Sequence, residues 1–159
     1  MFLNKKKVIF LISFSALIFI LTINWEKSQI IKIVDGDTIH LNGEKIRFTG
    51  IDTPELKQTC IKEGIIDPCG VTAKEILIEK IADNKVECIS EGKDQYKRTL
   101  AECFVNDESL SSYLVRSGYA FAYRKYSKKF IKDENYARLN KLGMWSMEFV
   151  YPWDFRRNN

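Results

Sequence analysis

Val34-Asp35-Gly36-Asp37-Thr38-Ile39 and, further on, Ile51-Asp52-Thr53-Pro54-Glu55 frame the stretch that decides how this chain folds, with Arg47 between them. Ile30, Ile31, Ile33 and Val34 precede the first acidic group, and Ile46, Phe48 and Ile51 lead into the second. Apolar, β-branched runs bounded by turn residues read as strands, so the carboxylates fall at neighbouring strand ends. Taken alone, Asp-Gly-Asp-Thr is ordinary turn chemistry and Asp-Thr-Pro-Glu an ordinary loop or helix start. Together they place four carboxylates and an arginine between positions 35 and 55. Like charges gathered at one end of a sheet raise one another's pKa and destabilise the fold unless a cation joins them. The residue types offer oxygen ligands for a hard cation, a spare carboxylate to act as a base, and a planar guanidinium to hold a phosphate. That combination predicts a metal-dependent site acting on phosphodiesters.

Working outward, strands are expected over residues 30–34, 38–41 and 45–50, with Asn42-Gly43 as a favoured hairpin turn. Ala73, Ile76, Leu77 and Ile81 keep helical spacing. So do Leu110, Tyr113 and Leu114 before a stop at Gly118, and Tyr136, Leu139 and Leu142 before Gly143. Residues 86–90 and 100–105 read as a hairpin whose midpoint lies near Gln95 and Tyr96. The whole is one domain, long enough to bury a single core. Neither internal repeats nor low-complexity linkers interrupt it.

The motifs carry a resemblance. DGDTI, Arg47 before GIDTPE, Tyr96-Lys97-Arg98-Thr99-Leu100-Ala101, Leu114-Val115-Arg116-Ser117-Gly118-Tyr119-Ala120, and Ala137-Arg138 with Leu142-Gly143-Met144-Trp145-Ser146 occur in order along the chain. Between about Ile30 and Trp153 the sequence resembles the staphylococcal nuclease (thermonuclease) family. The resemblance implies an α+β domain, a five-stranded OB-fold β-barrel with about three packed helices, that cleaves DNA and RNA with calcium. Five short strands with a helix between the third and fourth fit such a barrel. Position by position, it implies that Asp37 and Asp52 ligate the calcium and that Thr53 adds its backbone carbonyl. Asp35 then stands behind them as a further acid. It makes Glu55 the general base and makes Arg47 and Arg98 the pair that grips the scissile phosphate. Guanidinium forks suit that task because a phosphodiester transition state gathers charge on its equatorial oxygens. The sequence departs from the family where glycine usually precedes the second arginine, since Lys97 stands there.

Tyr123 and Tyr126 lie near the family's substrate-touching tyrosines, although the local spacing differs, and ordinary packing would also explain them. Arg124, Lys125, Lys128, Lys129 and Lys132 surround them without an acid until Asp133. Aromatics interleaved with cations suit single-stranded nucleic acid, while a solvated charge run would look similar. Of these, Arg124 and Lys125 join the two tyrosines as candidate substrate contacts. The formal net charge of +4 supports nothing by itself. Without Lys5, Lys6 and Lys7, the 25 basic residues fall to 22 against 21 acidic ones. Any affinity for nucleic acid must therefore come from local patches and the metal, which predicts a transient enzyme more than a tight, salt-sensitive binder.

Residues 1–25 read as an export signal or a membrane anchor, because Lys5 to Lys7 precede an apolar run from Val8 to Ile23. The bulky residues from Ile20 to Trp25 offer no small-x-small cleavage pattern. The expectation is an uncleaved tether, with the domain at residues 26–155 on the far side of the membrane. A tail over 156–159 is expected to fray. Four cysteines fit an oxidising compartment. In the 86–105 hairpin Cys88 and Cys103 face each other, which pairs Cys60 with Cys69 in the loop after Glu55. The single histidine, His40, sits alone in a strand and carries no chemistry. The reading is thus an exported, monomeric, calcium-dependent nuclease of little sequence preference, with DNA and RNA as substrates. Its competitors are a non-catalytic OB-fold module that binds nucleic acid, and a disulfide-stabilised envelope domain with a structural calcium site.

Overall fold

Asn42 and Gly43 both take positive φ, 52° and 89°, the backbone that a two-residue hairpin turn needs to match strand twist. They join β2 (Thr38–Leu41) to β3 (Glu44–Phe48), and β1 (Ile31–Ile33) pairs with the other side of β2. This computed structural model describes residues 28–158. The lysine-led apolar run of residues 5–23 and Asn159 lie outside them. No helix among the described residues is long and apolar enough to cross a membrane.

Two long strands, β7 (Glu87–Lys93) and β8 (Thr99–Val105), complete the main sheet in the order β1-β2-β3-β8-β7, with β8 parallel to β3. A short β9 (Glu108–Ser109) also pairs with β8. The expected barrel does not close as a ladder: among the described residues β7 and β1 share no strand pairing. At that seam the Gln29 side-chain amide takes the role of a strand. Its Nε2 donates to the Val86 carbonyl and its Oε1 accepts the Val86 N–H, each at 2.8 Å. A side-chain amide has the same donor and acceptor as a peptide unit, so it pairs both backbone groups of Val86, the residue just ahead of β7.

Helix α1 (Cys69–Ile81) lies against this sheet through Ala73, Leu77 and Ile81, a stripe at fourth positions that is fully buried. Its partners include Ile39, Ile46, Phe48, Val86, Ala101 and Cys103, together with Leu110 and Leu114 from α2 (Leu110–Arg116). Burial of each large aliphatic side chain contributes roughly 1.5–3 kcal/mol. Further along come α3 (Ile131–Leu139), a 3-10 turn over Gly143–Ser146 and α4 (Pro152–Asn158). Arg156 to Asn158, expected to fray, instead belong to α4. Pro152 opens that helix, where its missing N–H costs nothing. A second cluster packs Phe121 and Met144 against Trp145, Phe149, Tyr151 and Trp153, which fastens α4 to the domain.

Both disulfides join the expected partners. Cys88 and Cys103 are directly opposed in β7 and β8, and Cys60 is bonded to Cys69. The segment between Cys60 and Cys69 is not a plain loop. It folds into the hairpin β5 (Cys60–Lys62) and β6 (Ile65–Asp67), turned at Glu63 and Gly64, both with positive φ.

Lys97, which stands where the family usually has glycine, falls in the turn between β7 and β8. Asp94 binds the N–H groups of Tyr96 and Arg98 through Oδ1, and Lys97 adopts φ 63°. A left-handed backbone costs a side-chain-bearing residue about 1–2 kcal/mol. Lys97→Gly is therefore expected to stabilise the domain by about 1 kcal/mol, after allowing for the greater freedom of glycine in the unfolded chain. Thermal melting of the two proteins checks this, and a lower midpoint for the variant counts against it.

Candidate active site

Strand pairing brings the two acidic motifs together. Arg47 on β3 is in register with Thr38 on β2, the residue after Asp37, and the parallel β8 sets Leu100 beside Arg47. Arg98, just ahead of β8, therefore arrives at the same end of the sheet. Asp52 lies in β4 (Ile51–Asp52), paired with Phe121 of β10 (Phe121–Ala122), and the Tyr123 N–H donates to the Gly50 carbonyl at 2.9 Å. The DGD turn meets the second motif closely: a Cβ on Gly36 would come within 3.0 Å of Thr53. Backbone packing that tight is open to glycine at little cost.

Asp37 and Asp52 are both buried and share one guanidinium. Arg47 Nη1 donates to Asp37 Oδ1, and Nη2 donates to Asp52 Oδ1 at 2.8 Å. The Thr53 N–H donates to Asp37 Oδ2 at 3.0 Å, so the Thr53 backbone also reaches the acidic centre. Asp35 accepts the Asp37 N–H at 3.1 Å and braces the turn. Burial raises the Asp37 carboxyl to about 7; Arg47 and the Thr53 N–H work against that rise, and Asp35 and Asp52 add to it. The native state then binds more protons than the unfolded chain between pH 3.8 and about 7, so stability from this group falls as pH rises through that window. In chelator, the melting temperature of the unaltered protein is expected to fall more, or rise less, across that interval than that of Asp37→Asn, which lacks this group. Identical slopes in both proteins would contradict the assignment.

The donor chemistry fits a hard divalent cation. Two buried carboxylates converge on one positive centre, and their repulsion is relieved by added positive charge. Among the described residues no three His, Cys, Asp or Glu side chains cluster at metal-holding distance. Backbone oxygen and water would have to complete the shell, an arrangement calcium tolerates.

Glu55 stands beside this centre with its side chain part-exposed. Its loop is fixed by a residue that carries no motif signature. Gln58, buried, offers Oε1 to the Glu55 N–H at 3.3 Å and donates through Nε2 to the Val150 carbonyl at 2.6 Å. Gly70 passes so close that a Cβ there would lie 1.8 Å from the Glu55 carbonyl oxygen. The Cys60–Cys69 bond adjoins that contact and holds the hairpin and α1 against the loop.

These groups line one cleft of about 1000 Å³, whose walls include Asp35, Asp37, Thr53, Glu55, Arg47, Arg98, Tyr123 and Tyr126. Asp52 is fully buried and does not line the cleft; it meets it through Arg47 and Arg156, which do. Arg98 donates through Nε to Asp94 at 2.6 Å, and its guanidinium lies 5.6 Å from the centre of the Tyr96 ring. Tyr126 is largely exposed and packs edge-on to Tyr123, whose other neighbour is Trp153, stacked within 3° of parallel. Arg124 and Lys125 do not line the cleft. Arg124 is held by Glu134 at 2.5 Å, and Lys125 lies over the Tyr126 ring.

One cation of the cleft was not expected. Arg156, on α4, donates to Asp52 Oδ2 at 2.6 Å, to Asp52 Oδ1 at 3.2 Å and to Glu55 Oε1 at 2.7 Å. Burial opposes its charge, yet these hydrogen bonds and the two carboxylate charges raise its pKa. The signal for its position is Tyr151-Pro152-Trp153, a helix start followed by a large aromatic anchor.

A β-sheet in OB order that gathers acids and arginines at one end of a cleft defines a class of compact domains built to hold anionic ligands. Residues 45–147 match the family described as Staphylococcal nuclease homologue, and the chain belongs to that family. It is 32% identical over 128 residues to the SPbeta prophage-derived endonuclease YokF of Bacillus subtilis, covering 72% of this chain and 42% of that protein. It is 28% identical over 125 residues to an uncharacterized endonuclease of Haemophilus influenzae, covering 74% of this chain and 65% of the relative. It is 31% identical over 128 residues to the endonuclease YncB of Bacillus subtilis, covering 72% of this chain and 59% of that one. The chain thus spans less than two thirds of each of these relatives.

Proposed function

We propose that the protein is a calcium-dependent endonuclease that hydrolyses phosphodiester bonds of DNA and RNA with little sequence preference. The observation that carries this reading is the single cleft shared by Asp37, Glu55, Arg47 and Arg98. Asp37 and Asp52, with the Thr53 carbonyl, would hold the calcium, and Asp35 supports the turn that presents them. When bound, such a cation would supply positive charge to the phosphate oxygens and would lower the pKa of nearby water.

Glu55, on a loop locked by Gln58 and Gly70, accepts the proton of the attacking water at a carboxylate oxygen. Arg47 and Arg98 grip the non-bridging phosphate oxygens, whose charge grows as the fifth bond forms; the P–O ester bond opposite the attacking water then breaks, and the leaving sugar oxygen takes a proton from solvent. Tyr126, exposed at the rim, offers a face for an unpaired base, and Tyr123 buttresses it. We assign the protein to the outer side of a membrane, tethered as a monomer by the apolar run of residues 8–23. Two disulfides and the lysine triplet support that assignment.

Labelled single- and double-stranded DNA and RNA, incubated with the full-length chain in calcium and analysed on native and denaturing gels, separate the readings. Shortened strands in calcium and intact strands in chelator are expected. A retarded but uncut band would favour the binding module, and calcium binding with neither effect would favour the structural calcium site.

A further inference from the structure

Asp52 has no oxygen free of arginine. Its Oδ1 accepts from Arg47 and Arg156, and its Oδ2 accepts from Arg156 at 2.6 Å. The same Arg156 guanidinium reaches Glu55 Oε1 at 2.7 Å, so one fork spans the buried acid of β4 and the part-exposed acid of the following loop. Planar guanidinium is the side chain best matched to carboxylate pairs, and it keeps its charge under all ordinary conditions. A divalent cation needs the same lone pairs.

Arg156 is placed there by its helix. Trp153, one turn earlier on α4, is sandwiched between Tyr123 at 5.7 Å and Tyr151 at 4.6 Å, nearly parallel to both. The aromatic clamp fixes the start of α4, whereas the Arg156 side chain is 39% exposed and can leave the acids without undocking the helix. Its neighbour Arg157 is turned away, bonded to Asp154 and 75% exposed.

We propose that Arg156 is a built-in competitor of the divalent cation: it neutralises Asp52 and Glu55 until the cation arrives, and so sets the concentration at which the site fills. This rests on the calcium reading of the cleft. Two charges at one point attract the acids more strongly than a single delocalised one, so the cation wins, but at reduced apparent affinity. If the arginine leaves Asp52 open about a tenth of the time, the apparent Kd is weakened about tenfold.

Calcium titration of the full-length chain in mild detergent, followed by calorimetry, tests this without reference to turnover. Arg156→Ala and Arg156→Gln are expected to bind calcium about tenfold more tightly than the unaltered protein, and Arg157→Ala to bind within about twofold of it. Thermal melting in chelator verifies that each variant is folded. Equal or weaker binding by both Arg156 variants overturns the proposal and leaves the calcium reading intact. A gain of equal size in Arg157→Ala also overturns it, since general charge would then be the cause. No binding by any of the proteins overturns the calcium reading together with this inference.

Discussion

Glu55→Ala is expected to lower the rate of DNA cleavage by about 10²–10⁴, the range over which a positioned general base acts. Its calcium affinity should stay within a few-fold of the unaltered protein. The reason lies in the geometry: Glu55 is part-exposed on a loop beside the acidic centre, while Asp37 and Asp52 are buried within it. Gln58 and Gly70 hold that loop through its backbone, so the side chain can be removed without moving its supports. The contrast with Asp37→Ala is informative, because that change removes a carboxylate from the centre itself and should weaken calcium binding. A parallel loss of calcium binding in both variants would sink the role given to Glu55.

Arg47→Lys is expected to cost about 10²–10³ in rate, comparable with deleting one fixed donor to a developing oxyanion. Lysine keeps the charge and most of the length, so the protein should fold. What it lacks is the fork. Arg47 divides two nitrogens between Asp37 and Asp52, and a single ammonium cannot hold both acids while facing a phosphate. Cleavage rates at saturating calcium, with melting curves as a control on folding, decide the matter. A variant within about threefold of the unaltered rate would show that charge alone suffices.

The acidic centre was legible because residues that carry chemistry lie close in sequence and end recognisable strands. β2 and β3, with Asn42-Gly43 between them, obey both strand patterning and turn chemistry, so every local preference agrees with the fold. The cysteine pairs followed from the same logic, since opposed strand positions bring Cys88 to Cys103. β4 and β10 were not legible, as two residues give no period to read. The β5–β6 hairpin carried a signal at Glu63-Gly64 that the bracketing cysteines obscured.

Gln58 and Arg156 mark the other limit. A buried glutamine that bonds a loop backbone has the same appearance in sequence as an exposed one, because its partners, Glu55 and Val150, are fixed only by the tertiary fold. Arg156 belongs to a short basic tail that resembles a solvated end. Its contact with Asp52 and Glu55 depends on Trp153 finding its place between Tyr123 and Tyr151.

The most direct test of the central claim is the single-turnover rate of DNA cleavage as a function of free calcium, for the unaltered chain and for Asp52→Ala. Saturable dependence on calcium, abolished by chelator and shifted to much higher calcium in the variant, is the predicted result. A rate indifferent to calcium, or an unshifted curve for Asp52→Ala, would contradict it.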